Sequence, residues 1–346
     1  MRQARLVSLG CRISGDRTSR TAEVVFGHPG TGLPLVLRHC WELPEPEASA
    51  DAGGPGPVGA DLASRRVCGI ALGRLTASQL VTEDAVRTAG HTVLLRASRR
   101  VAAGCTPLGA ALAELPEALM VNDFDAYARS LRDLPPRQVR ARVAADDVRV
   151  LAVHAVEELG YDPAEQSLTA VVRDAHGHRA SLAAPYNPYG PGGLDTLAAA
   201  LTDTDRDTPC CMSAFVRGTV SGELLLDPLA VLTRTGVMVL DLAAVTGHTD
   251  PPPVCPPIAD PLTTVLDDAT EALAEVAHRG LRHAQGPELR RLRDCAAALA
   301  RTGLADAAAR VRALVTALTH DGPAAAAGRW TDAHLFLLTA ASLNTH

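Results

Sequence analysis

The chain of 346 residues contains no lysine, so all 33 of its positive side chains are arginine. The sequence therefore excludes Walker-A phosphate loops, protein-kinase chemistry and lysine Schiff bases, because each of these needs a lysine amine. Aromatic residues make up only 3% of the chain, and the net charge is −6. This balance is unlike the basic footprint of a dedicated nucleic-acid-binding protein.

The sequence also lacks paired cysteines and long apolar runs. Its eight cysteines are scattered and form no CxxC pair. The N-terminus shows no charged-then-apolar signal pattern, and no apolar run reaches the ~18 residues that a membrane-spanning helix needs. We therefore expect a cytoplasmic protein with reduced thiols and no membrane partner.

Residues 148–242 carry the clearest β pattern. A β-branched run is followed by the turn "YDPAEQ" and by two strands, "SLTAVVRD" and "RASLAA", around Gly177. The helical segment "LDTLAAALTD" precedes two further strands, "MSAFVRGTV" and "LLLDPLAVL". Three strands, a helix and two strands are the order of an oligonucleotide/oligosaccharide-binding (OB) barrel, which we predict here.

A fainter copy of this pattern lies in residues 4–98. One constant offset brings Gly32 onto Gly177 and Gly73 onto Gly218, where turns or close backbone approach favour glycine. The alternative is a chance match, because alternating apolar strands resemble one another. We predict a duplication, and hence an α+β chain with two tandem OB-like β-barrel units.

The C-terminal part changes character after five prolines in nine positions, which indicate a stiff linker. Apolar residues then recur at helical spacing in four segments joined by short loops, which predicts an antiparallel helical bundle. The predicted division is residues 1–98 for β-unit 1 with a mobile insertion at 43–66, 99–146 for a connector with one helix, 147–248 for β-unit 2, 249–261 for the Pro-rich linker and 262–346 for the bundle.

Motifs that would indicate chemistry are missing. No GxSxG elbow is present, and "GHPGTG" lacks the helix and lysine of a phosphate loop, so a hairpin turn is the better interpretation. His176 and His178 form half of a zinc-ligand set at best, and exposed turn residues are the simpler reading. We predict no catalytic residue, no metal and no cofactor.

Candidate binding residues follow from aromatic and basic side chains. Tyr186 and Tyr189 are the only aromatic pair in a loop, and the last helix is apolar over more than one stripe, which fits either a bundle core or a partner surface. The predicted binding surface comprises Tyr186, Tyr189, Arg99, Arg100, Arg137, Arg140, Trp330 and Phe336.

Three phrases resemble a bacterial protein group: "EELGYDPAEQSLTAVVRDAHGHRASLAAPYN", "FVRGTVSGELLLDPLAVL" and "VLDDATEALAEVAHRGLRHA". Across residues 148–343 the chain resembles the non-zinc portion of actinobacterial SWIM-type zinc-finger proteins. The resemblance implies gene clusters with AAA-type ATPases and von Willebrand factor A-domain proteins. The CxC…CxH zinc ligands of that group are absent, so only a binding or assembly role is implied.

These observations favour a non-catalytic interaction or scaffold protein, an accessory of an ATPase-associated multi-protein bacterial system that binds another protein. One alternative is a single-stranded nucleic-acid-binding tandem OB protein, which would need stacked aromatics over a basic groove. A second is an enzyme of unrecognised type, which a deep pocket collecting His154 or His176 with carboxylates would favour. The sequence identifies neither the partner nor the oligomeric state.

Overall fold

The structure is a computed structural model. Part of the predicted insertion at 43–66, and the predicted linker up to residue 260, lie outside the residues that it describes. The described residues are 4–43, 56–82, 85–95, 104–108, 115–135, 140, 143, 145–202, 211–219, 222–232, 237–245, 261–284 and 286–344.

The first sheet begins with three antiparallel strands in sequence order: β1 (Ala4–Gly15), β2 (Ser19–His28) and β3 (Leu33–Glu42). Consecutive side chains of a strand point to opposite faces. The middle of β1 is buried on both faces, because Leu6 packs in one core cluster and Val7 in another. Gly32 closes the turn between β2 and β3 with a φ of +66°, a conformation that favours glycine. The predicted hairpin at "GHPGTG" is confirmed.

Short elements continue the chain. β6 pairs antiparallel with β1 and also with β9, which gives the order β3-β2-β1-β6-β9, while β7 and β8 form a separate hairpin. Val36 of β3 forms a parallel bridge with Thr92, just before β8. The elements are α1 (Gly59–Leu62), β4 (Arg66–Val67), β5 (Ile70–Ala71), α2 (Leu72–Thr76), β6 (Ser78–Thr82), β7 (Ala85–Arg87), β8 (Val93–Leu95) and β9 (Gly104–Pro107).

The second sheet has the order β10-β11-β15-β16-β14-β13-β12, with β17 paired to β16. β12, β13 and β14 form an antiparallel meander, β15 is antiparallel to β11, and β16 is parallel to β14. Its elements are β10 (Met120–Val121), α3 (Phe124–Arg132), β11 (Val148–Ala152), β12 (Ala155–Asp162), β13 (Ser167–Arg173), β14 (Arg179–Pro185), α4 (Gly193–Thr202), β15 (Cys211–Gly218), β16 (Leu224–Leu232) and β17 (Val237–Val239).

These pairings follow the strand order predicted for an OB unit, with β11 and β12 as the two halves of its first strand. The strand, and not the polypeptide, is interrupted at Val153 and His154. β11 pairs with β15, whereas β12 pairs with β13. The expected closed barrels are wrong, because within the described part of the chain no sheet closes on itself. β11 and β12 follow each other in the chain but are not hydrogen-bonded to each other in the described sheet.

The glycine matches that suggested a duplication divide into two cases. Gly177 lies in the β13–β14 turn with a φ of +86°, as Gly32 does in the β2–β3 turn. Gly73 lies inside α2, whereas Gly218 ends β15, so the expectation that these two occupy equivalent corners is wrong. By its pairing to the first strand, β6 corresponds to β15 rather than to β16, so the constant offset fails after the first hairpin.

Both sheets belong to one compact unit, formed by Met1–Ala128, Val143–Arg217 and Leu224–Pro256. Val7, Val25 and Val36 of the first sheet share a core cluster with residues of the second, including Val148 and Leu229. Shared burial of this kind stabilises the two sheets together. The boundary drawn between two β-units at residues 98 and 147 stays a prediction.

The other compact unit contains four helices: α5 (Pro261–Arg279), α6 (Gly286–Arg301), α7 (Ala305–Thr316) and α8 (Pro323–Asn344). Their buried side chains form one core, in which α5 contacts both α6 and α8. Glycines with positive φ follow α5 and α6 and precede α8, as expected where helices stop; they are Gly280, Gly303 and Gly322. None of the helices described is long and apolar enough to cross a bilayer.

Candidate functional site

The "PYNPYGPGG" loop between β14 and α4 packs onto the end of β1. The side-chain amide of Asn187 donates to the carbonyl of Ile13 at 2.9 Å and to Oδ2 of Asp241 at 2.9 Å. The backbone amide of Ile13 donates to the same Asp241 oxygen at 2.7 Å. One buried carboxylate therefore ties the loop to the first sheet.

Arg12 provides the positive charge beside this carboxylate. Its Nη2 donates to Oδ1 of Asp227 at 2.8 Å, whereas its Nε lies 3.9 Å from Oδ2 of Asp241. Burial raises the pKa of Asp241 above its ordinary value, and Arg12 and the two hydrogen bonds offset only part of that effect. Asp241 is therefore a buried acid whose charge is incompletely compensated.

Glycines allow the backbones to approach closely here. A Cβ on Gly59 would lie 1.7 Å from the carbonyl oxygen of Asp241, and one on Gly190 would lie 2.7 Å from its Cα. The Gly59 amide also donates to the carbonyl of Tyr189 at 2.7 Å. Side chains at these two positions would push α1 and the loop away from the backbone of Asp241.

The two loop tyrosines of the predicted binding surface, Tyr186 and Tyr189, differ in burial. Tyr189 packs against the core of the first sheet, under the guanidinium of Arg20, which lies 4.7 Å from the ring centre. Arg20 is 96% buried and donates to the carbonyls of Ser19 at 2.8 Å and Pro57 at 3.0 Å. Tyr186 is 43% exposed. The pair does not form a common stacking platform, because Tyr189 is part of the packing.

A small cleft borders this cluster. It is partly open to solvent and lies directly beside Asp241. The hydrogen bonds of the cluster hold the loop in place. The cleft is lined by Arg12, Ala184, Pro185, Asn187, Gly190, Gly193, Leu194, Asp227, Pro228, Leu240 and Asp241.

A second polar cluster joins the β13–β14 turn to the start of α3. Nδ1 of His178 lies 3.1 Å from Oδ2 of Asp174 and 3.2 Å from Oδ1 of Asp123. Asp174 accepts the amides of Phe124 at 2.8 Å, His176 at 2.8 Å and His178 at 2.9 Å. Burial raises the pKa of Asp174, but these hydrogen bonds outweigh it and hold the pKa below its usual value.

This second cluster has the composition of a metal site, since Asp123, Asp174 and His178 bring three ligand atoms within 4.8 Å of one another. Both oxygens of Asp174 already accept amide hydrogens, and Asp123 caps α3 through the amide of Ala126 at 2.8 Å. The arrangement is therefore that of a turn fixed to a helix start. Sequence reasoning considered His178 and did not identify Asp123 or Asp174 as its partners.

The outer face of β13 and β14 carries small uncharged side chains. Thr169 lies opposite Ala183, and Val171 lies opposite Ser181. Ion pairs border this strip. Glu157 lies 3.1 Å from Arg173 and 3.8 Å from Arg179, and Glu158 also contacts Arg179.

The remaining residues of the predicted surface lie apart from these clusters. Trp330 is half-buried against the bundle core and donates to the carbonyl of Leu273 at 2.8 Å. Phe336 is half-buried beneath the guanidinium of Arg310, at 4.6 Å. Arg140 is half-buried. Arg99, Arg100 and Arg137 lie outside the described residues.

Comparison with known proteins identifies the second sheet. The model of the YehQ C-terminal OB-fold domain matches residues 145–261. Protein YehQ of Escherichia coli (strain K12) is 29% identical over 282 residues, which are 81% of this chain and 44% of that protein. The chain thus spans less than half the length of this relative. An OB-fold domain is present in the C-terminal half.

These matches correct the resemblance drawn from the sequence phrases. The region that suggested SWIM-type zinc-finger proteins matches the YehQ OB-fold domain, and the similarity to YehQ extends over most of the chain. The matches point to YehQ-like proteins, and the assignment to the SWIM zinc-finger group is wrong.

Proposed function

We propose that this chain is a non-catalytic interaction protein whose OB-fold domain binds another protein. The observation that carries the proposal is the uncharged strip on the outer face of β13 and β14. The expected role of this chain as an accessory of an ATPase-containing system depended on the resemblance to SWIM-type zinc-finger proteins, which is wrong. The proposal is therefore confined to protein binding.

The strip has the anatomy of a protein interface. Protein interfaces combine a centre depleted in charge with a polar rim. Thr169, Val171 and Ala183 form such a centre, and the ion pairs of Arg173 and Arg179 form the rim. The strip carries no aromatic side chain on which a base could stack.

We also propose that the first sheet is a second OB-like unit. β1, β2 and β3 form a meander, and β6 is antiparallel to β1 as β15 is to β11. The parallel bridge between Val36 and Thr92 corresponds to the parallel pairing of β14 with β16. These pairings support the proposed tandem arrangement independently of the failed glycine match.

The non-catalytic part of the proposal is supported by the placement of the carboxylates. Asp174 and Asp241 are both held by backbone amides. A general acid or base must be free to exchange a proton with a substrate, whereas the hydrogen bonds of these two carboxylates favour a structural role. The free thiols of Cys11 and Cys295, together with the other described cysteines, support a reducing, cytoplasmic location.

The test is quantitative capture of partners from a native lysate on the full chain. Ala183→Arg places a charged side chain in the strip, and Thr319→Arg makes the same addition at an exposed position of the helical unit. We expect a partner protein that wild type and Thr319→Arg retain and that Ala183→Arg loses. Identical partners on all three, or none on any, would overturn the proposal.

Single-stranded nucleic-acid binding is the second candidate, because the OB-fold match and the exposed Tyr186 favour it. Fluorescence anisotropy with labelled oligonucleotides at low and moderate salt measures it directly. Tyr186→Ala removes an exposed ring, whereas Tyr189→Ala also removes the surface on which Arg20 packs. Salt-dependent binding lost in Tyr186→Ala would favour this candidate over the first.

A further inference from the structure

His334 is a buried histidine on the inner side of α8, in the helical unit. It is only 7% exposed and belongs to the same buried stretch of the helix as Ala333 and Leu337. Its ring stacks on that of Trp330, one turn earlier, with the ring centres 4.8 Å apart and the planes at 17°. Trp330 in turn donates to the carbonyl of Leu273 on α5. The imidazole is therefore held beside the contact of α8 with α5.

One ring nitrogen of His334 has no hydrogen-bond partner. Its Nδ1 is buried, and within the part of the chain that the structure describes no donor or acceptor contacts it. A neutral imidazole with its hydrogen on Nε2 tolerates this, because Nδ1 then carries only a lone pair. An imidazolium carries a hydrogen on both nitrogens. Protonation would therefore place a charged N–H donor in the core with nothing to accept its hydrogen, which costs more than leaving a neutral group unpaired.

No neighbouring charge compensates such a proton. α8 packs against α5 and α7. Burial lowers the pKa of His334, and no charged side chain of these helices offsets that effect. Arg310 of α7 pairs with Asp332, and Glu275 of α5 pairs with Arg291 of α6. The charged and titratable groups of the three helices besides His334 are Asp267, Asp268, Glu271, Glu275, His278 and Arg279 of α5, Asp306, Arg310 and Arg312 of α7, and Arg329 and Asp332 of α8.

The stack with Trp330 acts in the opposite sense. A cation over the face of an indole ring is attracted by the quadrupole of that ring. This gain is smaller than the cost of removing a charge from water without a hydrogen-bond acceptor. The neutral ring is therefore the form of His334 that the folded core stabilises.

We propose that His334 makes the helical unit sensitive to acid, because a proton taken up by its ring weakens the packing of α8 against α5. The unfolded chain accepts this proton at the ordinary pKa of histidine, 6.5, whereas the folded core accepts it only at a lower pH. The contribution of neutral His334 to stability is therefore complete above pH 6.5 and is lost as the pH falls through the folded pKa. The inference goes beyond the proposed function and is independent of the strip on β13 and β14.

Urea unfolding of the full chain at about pH 7 and about pH 5 tests the inference. The chain has two tryptophans, so Trp41→Phe leaves Trp330 as the fluorescent reporter of the helical unit. In this background, we expect acid to raise the unfolding equilibrium constant about threefold or more beyond its effect on His334→Phe, and by less than the roughly tenfold per pH unit that one proton allows. His334→Phe keeps an aromatic ring against Trp330 and cannot take up a proton. His320→Phe is the matched control, since His320 is exposed in the same unit and its removal should leave the acid effect in place.

Nuclear magnetic resonance of the histidine rings keeps the inference testable if His334→Phe does not fold. In the wild-type chain, the Cε1–Hε1 signal of His334 should remain that of a neutral ring where a free histidine is half protonated. A His334 signal that titrates as in a free histidine would overturn the inference. An equal effect of acid on the unfolding of His334→Phe and its parent would do the same. A parent that gains stability relative to His334→Phe on acidification would also contradict it, because the stack with Trp330 would then stabilise the charged ring.

Discussion

Two buried aspartates in the compact unit that holds both sheets accept hydrogen bonds from backbone amides, yet their pKa values are displaced in opposite directions. Asp174 receives three amides and the ring of His178, and its pKa is lowered despite burial. Asp241 receives one amide and one side-chain donor, with Arg12 at 3.9 Å, and burial keeps its pKa raised. The comparison teaches that the number of aligned donors decides whether a buried carboxylate stabilises the fold as an anion.

The largest expected effect on the free energy of unfolding is at the Asp174 cluster, which has more hydrogen bonds than the Asp241 cluster. Asp174→Ala removes the acceptor for the amides of Phe124, His176 and His178 and leaves the first of them buried without a partner. We expect a loss of about 3 kcal/mol in the free energy of unfolding, the cost of orphaned buried donors. Urea unfolding measures it. A loss below about 1 kcal/mol would show that water replaces the carboxylate.

The next effect probes how closely the loop approaches Asp241. Gly190→Ala places a Cβ 2.7 Å from the Cα of Asp241, a backbone atom that cannot move aside cheaply. We expect a loss of about 2 kcal/mol from this overpacking, measured by the same unfolding assay. If the variant were as stable as wild type, the loop would not be held against Asp241 as described.

Gly177→Ala gives the matched contrast in the other cluster. Its φ is +86° and a Cβ there meets nothing within 4 Å, so only the backbone conformation opposes the substitution. We expect a loss of about 1 kcal/mol. Thermal unfolding of the two glycine variants side by side should rank Gly190→Ala as the less stable, and the reverse ranking would contradict the comparison.

The pH dependence is the smallest effect and the most specific. Because the folded pKa of Asp174 is lowered, its contribution is present above the unfolded value near 3.8 and is lost as the pH falls through the folded pKa. Because that of Asp241 is raised, its contribution is present below 3.8 and is lost as the pH rises through the folded pKa.

The destabilisation caused by Asp174→Asn should therefore shrink on acidification, and that caused by Asp241→Asn should grow. Each slope stays below about 1.4 kcal/mol per pH unit, the limit for one proton. Urea unfolding at several acidic and neutral pH values measures both slopes. Slopes of the same sign would contradict the assignment of opposite shifts.

Local sequence patterns predicted the elements that local physics determines. Strand alternation and turn chemistry indicated the OB strand order and the turns at Gly32 and Gly177, and helical spacing with short loops indicated the four C-terminal helices. Each of these features depends on residues close together in the chain, where periodicity carries the information.

The polar clusters could not be predicted in the same way, because their members are distant in sequence. Asp241 meets Ile13 across the two sheets, and Asp174 meets the amide of Phe124 at the start of α3. The failed match of Gly73 with Gly218 has the same origin, since strand pairing rather than spacing decides which strands correspond. Tyr189 was expected at a surface, but Arg20 covers it.

The most direct test of the central claim is partner capture by two variants, Asp174→Asn and Ala183→Arg, at a temperature at which both are folded. The claim is that the polar clusters are structural and that the partner binds the outer face of β13 and β14. The account predicts that Asp174→Asn is less stable than wild type and still retains the partner, whereas Ala183→Arg is as stable and loses it. Loss of the partner by folded Asp174→Asn, with retention by Ala183→Arg, would contradict the account and place function at the polar cluster.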